Sequence, residues 1–74
     1  MLAIVEHQHK AVWGIGHTSS EAWQDAKRWI EAKPNIRVGA LEVCELAPGA
    51  DLRADGHTLY QWVQVWKPVQ EALL

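Results

Sequence analysis

The chain is poor in the residues that usually announce a chemistry. Of its 74 residues only Cys44 is a cysteine, which excludes an intrachain disulfide and a multi-thiolate zinc site and suits a reducing compartment. Phenylalanine is absent, and the apolar run Leu2–Val5 ends at Glu6, far short of a signal-peptide core or a membrane span. Neither sign of charge dominates. Seven Lys and Arg face nine Asp and Glu, and the basic positions are scattered from Lys10 to Lys67. Nucleic-acid binders concentrate positive charge on one face, so this balance argues against such a partner. No repeat, linker or low-complexity stretch divides the sequence, which reads as one cytoplasmic domain over 1–74 with no cofactor and no membrane partner.

What the chain has is tryptophan: five Trp and one Tyr carry its aromatic surface. Each such ring buries about 150 to 250 Å². A chain this short hides only about 60 to 65% of its unfolded surface, so where the rings point matters both for stability and for function.

The clearest local signal is Thr18-Ser19-Ser20-Glu21, the pattern of a capping box. Thr18 at the N-cap accepts from the amide of Glu21, and Glu21 reaches back to the Thr18 amide. Ahead of it, Leu2–His7 and Lys10–Gly16 are rich in Val, Ile and Trp, and read as two antiparallel strands joined at His7-Gln8-His9, the alternative being a single bent strand because the turn lacks Asn-Gly or Asp-Gly. Behind it, Ser19–Lys33 has helical periodicity. Trp23, Ala26 and Ile30 are expected against a sheet with Trp29 at the margin, and Pro34 ends the helix.

Ile36–Leu46 reads as a third strand closed by Pro48-Gly49. Ala50–Asp55 suggests a helical turn with Gly56 after its C-cap, the rival being an Asp55-Gly56 hairpin turn. Leu59–Lys67 alternates and reads as a last strand, and Pro68 can open a short helix over Val69–Leu74. The expected fold is α+β: a small antiparallel or mixed sheet with one main helix on one face, in the order β-β-α-β-(short α)-β.

Alternation in the last strand sets Val63 and Val65 on one side and Tyr60, Trp62 and Trp66 on the other. One helix covers one face, so Tyr60, Trp62, Trp66 and Trp13 are expected to form an aromatic patch on the open face, unless Val69–Leu74 folds over it. Gly16, His17, Thr18, Ser19 and Ser20, at a strand exit and a helix start, offer a weaker anion site. His7 and His9, two apart, would share a strand face and could chelate a metal with His17 or His57, but no complete ligand set accompanies them, so no metal is expected. Ser19, Ser20 and Cys44 lack a nucleophile setting, and catalysis is not expected.

The stretch Ala11–Ile30, AVWGIGHTSSEAWQDAKRWI, resembles the strand-to-helix junction of HicB-like antitoxin domains, matching at Gly16, Thr18, Glu21, Ala22 and Ala26. It is also similar to small uncharacterised proteins of phages and mobile elements with an I-G-x-T-x-x-E-A-x-x-D-A core. The resemblance covers 20 of the 74 residues and implies an accessory, inhibitor or antitoxin-like role; no individual functional residue carries over. Taken together, the expectation is a non-enzymatic interaction module that forms a homodimer or binds a protein partner through the aromatic face. A small-ligand or anion binder is the alternative.

Overall fold

A computed structural model describes residues 1–64. The order is β1 (Leu2–Glu6), β2 (Ala11–Gly16), α1 (Ser19–Glu31), β3 (Glu42–Glu45) and α2 (Gly56–Tyr60). The three strands form an antiparallel sheet in the order β2-β1-β3, with Leu2 opposite Gly16 on one side and Glu45 on the other. The small α+β fold is as expected.

A four-residue turn joins β1 to β2, closed by the Lys10 amide on the His7 carbonyl at 3.2 Å with Lys10 at φ 52°. The register then slips: Ile4 pairs with Gly14 but Val5 pairs with Val12, so Trp13 is an unpaired bulge residue. The bulge turns Trp13 to the same side as Gly14.

Helix α1 lies on that side. Its inner stripe is made of small residues, Ser19, Ala22 and Ala26, all buried. Trp23 and Trp29 flank the stripe and stay exposed, so the expected packing of Trp23 on the sheet is corrected. The reason is backbone proximity. A Cβ on Gly14 would lie 2.3 Å from the Ala22 carbonyl oxygen and 2.4 Å from the Ala26 nitrogen. At that separation no indole fits between helix and strand. The core on this side is Ile4, Ala22, Ala26 and Val43, flanked by Leu2, Trp13, Ile30 and Leu41.

The helix stops at Glu31, with Ala32 as its C-cap, two residues before the expected end at Lys33. Its start is the capping box with one change: Thr18 Oγ1 accepts from Glu21 N at 3.1 Å, but the Glu21 carboxylate accepts from His17 N, not from Thr18 N.

β3 is shorter than the expected Ile36–Leu46, because its partner β1 ends at Glu6 and leaves residues 36–41 with no strand to pair with. The opposite face of the sheet is not bare. Ala3, Val5, Cys44 and Leu46 are covered by Ala50, Tyr60 and Val63 from the segment that follows β3.

The expected last strand is corrected at its start, since Leu59 and Tyr60 belong to α2. After α2 the chain does return to the sheet, where Val63 bridges Leu46 and Gln64 N donates to Glu45 O at 3.0 Å. The rest of that strand, and the helix expected over Val69–Leu74, lie outside the described residues. Asp55 is neither a C-cap neighbour nor a hairpin residue. It is the N-cap of α2, its carboxylate accepting from the His57 and Thr58 amides. The Thr58 amide, joined by the His57 amide and the Thr58 hydroxyl, holds its carboxyl below the usual range against an opposing effect of desolvation.

Candidate functional site

The order β2-β1-β3 leaves β2 at the edge of the sheet, and the elements around that edge enclose a groove of about 760 Å³. This lies within the usual size range of ligand and peptide sites, about 300 to 1,000 Å³. The C-terminal half of α1 forms one wall with Trp29 and Lys33, and Leu52 and α2 form the other. The Ile36-Arg37 segment closes one side. Trp29 is 48% exposed, Ile36 48% and Leu52 47%. Three half-bare apolar side chains from separate segments therefore line one groove.

The edge of β2 is partly guarded by the chain itself. Ile15 N donates to Asp25 Oδ2 at 3.0 Å, and Gly56 packs against the backbone of Val12. These contacts occupy strand groups that would otherwise pair with another chain.

Glu6 lies in the groove wall and is almost wholly shielded from solvent, at 1% exposure. It accepts three hydrogen bonds: from His9 Nδ1 at 2.6 Å, from Gly39 N at 2.6 Å and from the Trp13 indole at 3.1 Å. Burial by itself would push its carboxyl up, but the Gly39, Trp13 and His9 donors outweigh that and hold it below the usual range. Glu6 is thus a charged pin that fixes the turn, the bulge residue and the 36–41 segment relative to one another. Lys33 Nζ lies over the Trp13 ring, 6.0 Å from its centroid.

On the opposite face His7 stands between two partners. Its Nδ1 is 2.8 Å from the Tyr60 hydroxyl, and its Nε2 is 2.9 Å from Glu42 Oε2. A carboxylate only accepts, so in the neutral imidazole Nε2 carries the proton and Nδ1 accepts from Tyr60. Cys44, two residues beyond Glu42 on β3, is buried beside this pair. Burial raises its thiol pKa, and the Glu42 charge raises it further, so the free side chain is a protonated, unreactive thiol.

Of the expected aromatic patch, the described residues Trp13 and Tyr60 lie on different faces of the sheet. Trp13 packs on the α1 side and Tyr60 on the other, because the bulge reverses the alternation at Trp13 and α2 replaces strand at Tyr60. Trp62 is 36% exposed just after α2, and Trp66 lies outside the described residues. His7 and His9 do not share a face: the turn sends His7 to Glu42 and His9 to Glu6. At Gly16, His17, Thr18, Ser19 and Ser20, the Glu21 carboxylate takes the His17 amide and the Thr18 hydroxyl takes the Glu21 amide. The chain's own acid is therefore the anion at this helix start. Sequence reasoning missed Glu6, Ile36 and Leu52. Nothing in their spacing marks them, since they meet only through the turn and the loops. Comparison with protein-family models, curated proteins and solved structures gives no match, so the groove is read from its own chemistry.

Proposed function

We propose that the protein is a non-enzymatic interaction module whose docking surface is the groove beside β2, and that its first partner is a second copy of the chain. The observation that carries this is the meeting of Trp29, Ile36 and Leu52, each about half exposed, around one concave surface held in shape by Glu6. Covering what remains of Ile36 and Leu52 is worth about 1 kcal/mol each, and about 100 Å² of Trp29 adds about 2.5 kcal/mol. That gives about 4 to 5 kcal/mol, no more than the lower end of the association cost of about 4 to 15 kcal/mol. Counting the partner's matching apolar area brings this to about 9 kcal/mol, and in a two-fold pair the second copy's own Trp29, Ile36 and Leu52 supply that area.

Light scattering across a concentration series tests the reading. The expected result is a mass rising toward twice 8.4 kDa, returned to one chain by Leu52→Asp and unchanged by Trp23→Ser on the far flank of α1. A monomer at all concentrations would remove the second copy as partner and leave the groove to an apolar segment of another protein. A dimer insensitive to Leu52→Asp would place the interface elsewhere.

A further inference from the structure

The second face of the sheet carries a group of side chains that the docking reading does not use. Glu42 and Cys44, two apart on β3, share a face, and the turn after β1 brings His7 to them. The His7 ring nitrogen, a Glu42 carboxylate oxygen and Cys44 Sγ all lie within 4.8 Å of one another. Among the described residues the ionic partner of Glu42 is this imidazole alone, with no Lys or Arg beside it.

We propose that His7 Nε2, the Glu42 carboxylate and Cys44 Sγ form a three-ligand site for a borderline divalent metal ion, Zn²⁺ in the first instance, with water in the fourth position. All three are the ordinary donors of such ions. Metal–ligand bonds of about 2.0 to 2.3 Å in a tetrahedron set the donors roughly 3.3 to 3.8 Å apart. The observed group reaches that spacing by side-chain adjustments of about 1 Å, the His7–Glu42 hydrogen bond opening and the thiol swinging in.

The outer contacts suit the ion as well. Tyr60, 2.8 Å from His7 Nδ1, is placed to accept from that nitrogen once Nε2 is a ligand, which is the usual way a metal-bound imidazole is oriented. Proton accounting is simple. The imidazole keeps one proton, moved from Nε2 to Nδ1, and the thiol proton passes to solvent. A 2+ ion with one thiolate and one carboxylate leaves the site neutral, which is compatible with a half-buried position. Half-exposed His7 and Glu42 give the ion its way in, and buried Cys44 forms the floor.

The site is independent of the groove, and its test is separate. Tag-free protein is titrated with Co²⁺ and followed by absorption. The expected result is one equivalent bound, with a thiolate-to-cobalt charge-transfer band and the intense visible bands of four-coordinate Co²⁺, both erased by added Zn²⁺. Cys44→Ser is expected to abolish the charge-transfer band, and His7→Gln and Glu42→Gln each to weaken binding about tenfold or more. His17→Gln, outside the site, is expected to change nothing. No charge-transfer band at stoichiometric Co²⁺, or binding that survives both Cys44→Ser and His7→Gln, would overturn the assignment. If Cys44→Ser does not fold, X-ray absorption on the Zn²⁺ complex of the unaltered chain decides. One sulfur at about 2.3 Å supports the site, and a shell of nitrogen and oxygen alone refutes it.

Discussion

Glu6→Gln keeps the shape of the buried side chain and removes its charge, and the cost can be worked out from three contacts. The carboxylate receives His9 and Gly39 at one oxygen and Trp13 at the other. A carboxamide has one acceptor oxygen, so either the Trp13 indole or the Gly39 amide is left facing an NH₂ group. Stranding a buried donor costs about 1 to 3 kcal/mol, and weakening the remaining bonds from charge-assisted to neutral adds about 1 kcal/mol. The total, about 2 to 4 kcal/mol, is a large share of the roughly 4 to 11 kcal/mol that a chain of this size holds in reserve. At about 4 to 8 °C per kcal/mol the melting temperature is expected to fall by about 8 to 32 °C.

The pH dependence follows from the sign of the shift. Folding lowers the Glu6 pKa, so the carboxylate stabilises the fold above its unfolded value, and this share is lost as pH falls through the lower, folded value. The difference between parent and Glu6→Gln should be full at neutral pH and shrink toward acid. Urea titrations followed by circular dichroism at several pH values measure both effects, and the Trp13 indole proton signal reports the lost contact directly. Equal midpoints at neutral pH, or a difference that grows toward acid, would refute the role given to Glu6.

Gly14→Ala places a methyl within 2.4 Å of α1 backbone atoms and is expected to cost about 1 to 3 kcal/mol by forcing the helix off the sheet; an unchanged denaturation midpoint would deny the close packing. Thr18→Ala should cost about 1 kcal/mol through the orphaned Glu21 amide, measurable in the same titration. Asp55→Ala is expected to fray the five-residue α2 and to speed exchange of the Leu59 amide, which donates to the Asp55 carbonyl, while β1 amides stay protected.

Where local chemistry alone decides, the sequence was legible. Thr18 and Glu21 announced the helix start, Pro34 its end to within two residues, and the apolar runs of β1 and β2 the first hairpin. Strict alternation failed at Trp13, because one bulge residue reverses every inference drawn from a period of two. It failed again at Leu59 and Tyr60, where the Asp55 cap started a helix in a segment whose composition favours strand. Helical periodicity placed Ala22 and Ala26 on the inner arc of α1 but set Trp23 there too, because it could not show that glycines on β2 draw the helix too close for an indole. The groove was illegible for a different reason. Glu6, Gly39, Ile36 and Leu52 come together through a turn and two loops, and nothing periodic connects them.

The central claim is that the groove beside β2 is the surface through which this chain meets its partner. Backbone amide shifts recorded over a protein concentration series test it most directly, because they locate the contact as well as detect it. The account predicts that Trp29, Ile36, Leu52 and Ala54 shift together and saturably while Trp23 and Met1 stay in place. Shifts centred on Trp23, Met1 or Trp62, with the groove amides unmoved, would contradict it.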